Sequence, residues 1–271
     1  MTVEDEDVRW LDRLLNALHE SLDSTDRILA QGIQGVTKWH EKRDRDPVAE
    51  VDLAIERRLR EFLFDLTPDV PFVGEETGGD VPDTGLAWVV DPLDGTVNFL
   101  EGIPLCGTSI GLVRDGQPIL GAVSLPLLGS RFSGGPAIQS TENGKAISVS
   151  DVSAMRGAIV SVGDYSTGDG ADRKNERKIE VQRALAPEVY RIRMLGSAAI
   201  DLAWLASGRL HGTVTMSNNS WDMCGGVAIA LGAGAHVTDA HGMHYSMASE
   251  SILAAAPGVW RALCDKVEEV F

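Results

Sequence analysis

Six consecutive residues, Asp91-Pro92-Leu93-Asp94-Gly95-Thr96, close the apolar run in WVVDPLDGTVNF and carry most of the chemistry legible in this chain. Pro92 fixes the backbone between two carboxylates, so Asp91 and Asp94, three positions apart, can converge. Carboxylates held close repel one another unless a proton or a cation sits between them. Oxygen donors with no His or Cys beside them favour a hard ion such as Mg²⁺ over Zn²⁺. Gly95 and Thr96 then offer backbone N–H groups beside a hydroxyl, and a helical turn opening at TVNFLEG would make them an anion site. A metal cage next to a phosphate cradle suits phosphoryl hydrolysis. Two ions ~3.5–4 Å apart can grip both the attacking and the leaving oxygen of an in-line displacement. In the other arrangement Asp91 or Asp94 is itself phosphorylated, although both are better used as ligands.

Other polar residues stand where such a site could recruit them. Glu75 and Glu76 end the strand-like VPFVG, Asp222 follows Trp221, and Asp52 lies on a helical segment. Each also has a plainer reading: strand-end surface charge, helix N-cap and exposed helix acid. His211, His236, His241 and His244 match no zinc spacing and read as solvated loop histidines. Arg173, Lys174, Arg177 and Lys178 read as a solvated helix face, with widening of the site's entrance for a second phosphate as the other use.

Composition bounds the setting. The 271 residues, 44% of them hydrophobic, suffice for one large domain or two packed ones. Forty acidic against 24 basic residues give a net charge of -16, which repels duplex nucleic acid as a main ligand. The three cysteines, Cys106, Cys224 and Cys264, form no disulfide framework. No apolar run approaches 18 residues, and the acidic opening MTVEDEDVRW has no basic or apolar signal region. These features lead us to expect a cytoplasmic protein without membrane segments.

The elements that must position the acids follow from hydrophobic period. Val8–Ala30 and then residues 46–66 read as helices. VPFVG and the nearly all-apolar GLAWVVD read as strands, the second buried on both faces. The stretch around Arg114-Asp115-Gly116-Gln117 reads as a hairpin, and GPAIQSTENGKAISVS as further β structure. From residue 157 strands and helices alternate: GAIVSVGD, RKNERKIEVQRALA, VYRIRML, SAAIDLAWLASG, HGTVTM, MCGGVAIALGAGA, SILAAAP and a last helix over 259–267. The expectation is an α/β protein, with an α+β unit over 1–153 carrying most of the candidate ligands and an α/β unit over 154–271 carrying Asp222.

GEET, WVVDPLDGTVNF and WDMCGGVAIALGAGAHVTD, with DPVAEVDLAIE upstream, resemble the signature segments of the inositol monophosphatase family, the Mg²⁺-dependent, lithium-inhibited sugar phosphatases. The segments run in order from about residue 46 to about residue 240, and the pattern looks most like that of the actinobacterial members. The resemblance implies a layered αβαβα fold, a homodimer and a site at the seam of the two units. It implies one Mg²⁺ on Glu75, Asp91 and the Leu93 carbonyl, a second on Asp91, Asp94 and Asp222, and a third, weaker ion near Glu75. Gly95 and Thr96 would bind phosphate, while Asp52 and Thr96 orient the attacking water; Glu76 matches the motif without a defined role. The substrate implied is inositol 1-phosphate or a related sugar phosphate. Histidinol phosphate, fructose 1,6-bisphosphate and nucleotide 3′-phosphates are the alternatives, and a non-catalytic regulatory protein on the same fold is the alternative of another kind.

Two features depart from or extend that pattern. Ala49 stands where the family segment has Thr. Animal members place a substrate-binding glutamate six positions before the tryptophan, where this chain has Thr215. Selectivity for the inositol ring is therefore expected to be weak. Gly196, Ser197 and Ala198 resemble the family's small-residue helix start and are expected to border the sugar, unless they serve helix packing alone.

Overall fold

Helical-period leucines build the outermost layer. The computed structural model describes residues 3–33, 38–43, 46–168 and 170–270. Its first helix, α1 (Val3–Gly32), overruns the expected 8–30 at both ends and buries Leu11, Leu14, Leu18 and Leu22. A hairpin of β1 (Trp39–Arg43) and β2 (Asp46–Ala49) follows. Here the helical expectation for 46–49 is corrected: Pro47 disfavours a helical residue before it, and DPVA pairs as a strand. The side chain of Asp46, first in the upstream family segment, lies outside the described residues. Helix α2 (Glu50–Leu66) then buries Val51, Ile55, Leu59 and Leu63 as the period requires.

The seven-stranded sheet keeps its strands in chain order. After β3 (Phe72–Gly74) come β4 (Leu86–Asp94), the short helix α3 (Thr96–Leu100), β5 (Gly107–Arg114), β6 (Gln117–Leu125), β7 (Ser130–Gly135), β8 (Ile138–Glu142) and β9 (Lys145–Ala146). Only β3 and β4 run parallel within it. Asp115 and Gly116 close the β5–β6 hairpin at φ 52° and 72°, the positive values a tight hairpin turn needs. Strand β7, SRFSGG, escaped the sequence reading because Phe132 is its one large apolar residue.

A five-stranded mixed sheet forms from the second half. Its elements are β10 (Ile159–Val162), α4 (Ala171–Leu185), β11 (Arg191–Arg193), α5 (Ala198–Ala206), β12 (Gly212–Thr215), α6 (Ser220–Gly232), β13 (His236–Thr238), β14 (Ile252–Ala255) and α7 (Pro257–Glu268). The spatial order is β11-β10-β12-β14-β13, and β13, like β1 and β7, is a strand that the sequence reading missed.

Three buried clusters separate the layers. Leu18, Ile55, Trp88 and Ile110 join α1 and α2 to one face of the large sheet. Val89, Val113, Ile200, Val227 and Ala254 place α5 and α6 between the two sheets. Val160, Val181, Val214 and Leu263 fix α4 and α7 on the far side of the smaller sheet. The result is the αβαβα stack expected. Helix α6 lies so close on the large sheet that a Cβ on Gly121 would collide with the backbone of Gly225. That approach brings Asp222 up to the end of β4.

Candidate active site

Strand β4 is built to turn its last carboxylates together. Asp91 pairs with Ser109 and Asp94 with Gly107, so two residues of β4 face one of β5 in a bulge, the setting in which a strand tolerates proline. The Thr108 hydroxyl donates to the Pro92 carbonyl at 2.9 Å, and the Leu93 N–H donates to Asp91 Oδ1 at 2.9 Å. Gly95 follows at φ 88°, and a Cβ there would stand 2.7 Å from the Leu105 carbonyl. Both the backbone angle and the space require glycine. Helix α3 opens at Thr96, as the anion-site reading requires.

A cavity of about 210 Å³ opens over this turn, lined by Glu75, Asp91, Leu93, Asp94, Gly95 and Thr96, and on its other side by Gly196, Ser197, Ala198, Thr215 and Asp222. Of the acids and neighbouring residues expected at the site, Asp52 and Glu76 are not on its wall, and the rest are. The charges are costly. Burial first, then the charges of Glu75, Asp94 and Asp222, hold the Asp91 carboxyl well above its ordinary range. Burial also lifts Asp94, to about 6, against the lowering effect of hydrogen bonds from Ser197 and the α5 backbone. Asp222 is raised by burial and by Asp94 and Glu75. It is not the helix cap: Asn219 is the capping residue of α6, and its side-chain amide donates to Asp222 Oδ2 at 3.0 Å.

The cluster suits a cation because it has already drawn one in. Lys42 of β1 sets its ammonium 3.0 Å from Glu75 Oε1 and 2.5 Å from Glu76 Oε1. Burial opposes that charge, yet the two glutamates hold it above its ordinary pKa. All donors are oxygens, the chemistry of a hard divalent ion. Among the described residues no three acidic, His or Cys side chains yet form a closed ligand shell. Glu56 of α2 shapes the acid turn from below, accepting the N–H groups of Glu76 and Thr77 at 2.8 and 2.9 Å.

Asp52 is fully buried and reaches the cavity through Thr96. The Thr96 hydroxyl lies 3.3 Å from Asp52 Oδ1 and 3.0 Å from the Leu93 carbonyl. One proton cannot serve both acceptors. Burial raises Asp52 to about 7, although the Ala49 N–H donates to Asp52 Oδ2 at 2.9 Å.

The opposite wall comes from the second half. Gly196 holds φ 72° before α5. The Ser197 hydroxyl and the Ala199 N–H donate to Asp94 Oδ2 at 2.7 and 2.5 Å, so Ser197 ties the start of α5 to the end of β4 as well as bordering the cavity. Asn98 adds a second bridge, donating to the carbonyls of Leu105 and Leu195, both at 2.8 Å. Gly163, Asp164, Asp201, Ser217 and Met223 also line the cavity and were missed. Asp201 was detectable, since it stands four positions after Ser197 on the same helix face.

Two readings are corrected. Lys178 belongs to no solvated face: it is buried and donates to the Asp164 carbonyl. Nor are two of the histidines solvated loop residues: His211 Nδ1 accepts the Ile159 N–H at 2.7 Å, and His236 lies in β13 with its ring stacked on Trp260.

A sequence model of the inositol monophosphatase family matches residues 10–270. The chain belongs to the inositol monophosphatase family. It is 35% identical over 230 residues to the inositol-1-monophosphatase ImpA of Mycolicibacterium smegmatis, covering 84% of this chain and 82% of that protein. To the inositol-1-monophosphatase of Rhizobium meliloti it is 32% identical over 260 residues, 94% and 96% of the two chains. The Thermotoga maritima IMPase superposes with a TM-score of 0.85 at 27% identity, over 96% of this chain and 98% of that one. Family membership makes this chain a phosphatase and disfavours a non-catalytic role. Among the described residues no helix is long and apolar enough to cross a membrane.

Proposed function

We propose that this family member is a Mg²⁺-dependent phosphomonoesterase acting on myo-inositol 1-phosphate and related polyol phosphates by direct attack of water. The observation that carries the reading is the convergence of Glu75, Asp91, Asp94 and Asp222 on one small cavity beside Gly95 and Thr96. The relatives, inositol-1-monophosphatases, supply the substrate class. We read residues 1–153 and 154–271 as two units meeting at that cavity.

Glu75, Asp91 and the Leu93 carbonyl would hold one Mg²⁺, Asp91, Asp94 and Asp222 a second, and Glu75 would border a third, weaker one. Bound there, such ions lower the pKa of water and neutralise charge on the leaving oxygen. The chain's own part is orientation and proton handling. The N–H groups of Gly95 and Thr96 bind phosphate oxygens. Thr96 Oγ1 accepts a hydrogen bond from the attacking water or passes its proton toward Asp52. A carboxyl poised near 7 can take that proton and release it within one turnover. Gly196, Ser197, Ala198 and Thr215 border the polyol. Both carboxylates at the end of β4 are engaged as ligands in this reading, so no phosphoenzyme forms.

Lithium inhibition, a homodimer and a cytoplasmic location belong to the same reading. Phosphate release from inositol 1-phosphate, glycerol 2-phosphate and histidinol phosphate, measured with MgCl₂ and with EDTA, tests it. Release from inositol 1-phosphate that persists undiminished in EDTA sinks the metal assignment, and no release from it at all sinks the substrate assignment.

A further inference from the structure

Lys178 of α4 has no part in the mechanism above, yet it is an ammonium buried to 2% exposure. A buried charge is costly unless hydrogen bonds compensate it. Its bonds go to one short segment: it donates to the Asp164 carbonyl and, at 3.4 Å, to Ser166 Oγ. We propose that Asp164 is a specificity-determining residue of the active cavity, its carboxylate accepting a hydroxyl of the polyol, and that Lys178 is the positioning residue that holds it. The inference rests on the phosphatase reading above and names the group that recognises the alcohol.

A polyol brings hydroxyl protons that need acceptors, and the strong acceptors on the wall opposite β4 are mostly engaged. Ser197 Oγ donates to Asp94 and accepts the Ile200 N–H at 3.2 Å. Asp222 is a metal ligand in the reading above. Asp201 is buried, with Oδ1 sealed from solvent. Burial, and then the charges of Asp94 and Asp164, hold its carboxyl well above the ordinary range. Thr215 and Ser217 are neutral. Asp164 remains. It lines the cavity, it is exposed, and among the described residues no group donates a hydrogen bond to its carboxylate.

The backbone around Asp164 is fixed from three directions. Before it, the Gly163 N–H donates to the Val214 carbonyl at 3.0 Å. A Cβ on Gly163 would stand 2.8 Å from Thr215 Cγ2, so the end of β10 lies against the end of β12. Beyond it, Ser166 donates its N–H to Asn175 at 2.7 Å and accepts from the same side chain at 3.0 Å. Lys178 holds Asp164 at its own carbonyl. An acceptor ordered in advance contributes to binding without further ordering. Its ionised oxygens make a charge-assisted hydrogen bond with a hydroxyl and nothing comparable with a bare ring carbon.

The test compares kcat/KM for myo-inositol 1-phosphate and cyclohexyl phosphate, which share a ring and a scissile bond but not the hydroxyls. Asp164→Ala, at an exposed position, should fold, and an unchanged melting temperature checks it. It should lower the inositol-to-cyclohexyl ratio about tenfold, the worth of one charge-assisted hydrogen bond. Lys178→Met, which keeps the length of the side chain and loses the donor, should lower the ratio in the same direction. The double variant should fall no further than Asp164→Ala, because the two residues act through one carboxylate. A ratio that Asp164→Ala leaves unmoved overturns the proposal. So does a loss shared equally by both compounds, the mark of a metal or structural residue. Additive falls in the double variant overturn the positioning role of Lys178. Should Lys178→Met prove unstable, Asn175→Ala cuts the neighbouring tie in its place, and a ratio it leaves unmoved overturns that role. Hydrolysis of neither compound by the wild type defeats the phosphatase reading, and this inference with it.

Discussion

On one side of the active cavity, Asp91, Leu93, Asp94, Gly95 and Thr96 come from six consecutive residues. On the other, Asp164, Gly196, Asp201, Thr215 and Asp222 come from four separate elements or their ends. A β-bulge, a proline and one left-handed glycine set the first wall, all of them local. The second takes its shape from the packing of α5 and α6 between two sheets. The local wall thus keeps its geometry however α5 and α6 pack, and suits chemistry that every substrate shares. The assembled wall can vary in size and charge without disturbing the first, and suits selectivity. Ser197, donating to Asp94, is where the two are coupled.

Asp94→Asn should produce the largest effect, because it strikes the local wall. The amide oxygen can still accept from Ser197 and Ala199, so the fold should hold. Turnover should fall by more than about 100-fold, since residues that merely support metal ligands typically cost 10- to 100-fold. The variant should melt no lower than the wild type in EDTA, because a buried repulsive charge is gone. Mg²⁺ should raise its melting temperature less than it raises that of the wild type. Wild-type-like turnover would show that Asp94 is no ligand.

Thr96→Ala should lower kcat by about 100-fold, the scale of general-base assistance, with KM little changed. Asp52→Asn should match it, and the double variant should cost little more than either alone if the two act as one unit. Additive losses would break the relay and leave Asp52 a structural acid.

Thr215→Glu tests the assembled wall. An ionised acceptor there should raise the kcat/KM ratio of inositol 1-phosphate over glycerol 2-phosphate by about tenfold, one charge-assisted hydrogen bond, while hydrolysis of a small aryl phosphate barely moves. A wild-type ratio already in the thousands would mean that other residues of this wall read the ring.

The smallest effect concerns stability behind the assembled wall. His211 accepts the Ile159 N–H through Nδ1, and burial lowers its pKa below 6.5. The unfolded chain therefore binds that proton more readily than the folded one. The stabilisation is full above about pH 6.5 and is lost as pH falls through the folded value. His211→Asn, which keeps an acceptor near the same position, should flatten the fall in melting temperature between pH 7.5 and 5.5. An identical fall in both proteins would remove His211 from the account.

Residues close in sequence were legible because their geometry is local: the convergence of Asp91 and Asp94, the turn at Gly95 and the helical start at Thr96 each follow from neighbouring residues. The αβαβα layering followed from the family resemblance, and the alternating strands and helices of the second half from hydrophobic period. Strands β7 and β13 did not, since SRFSGG and HVT carry too few apolar residues for any period to register. Lys42, Glu56 and Asp164 were invisible for another reason. A single charged residue in a polar stretch or on a helix reads as solvated until the fold shows what it faces.

By itself, the sequence determined the chemistry of the site: hard oxygen donors, a rigid turn and a hydroxyl beside an acid, because residue type and short spacing fix those. Tertiary structure alone decided which distant groups share that space. It drew Lys42 onto Glu75 and Glu76 and buried Lys178 beneath Asp164. Such encounters depend on how layers pack, and packing depends on buried shape across the whole chain, which spacing along it does not encode.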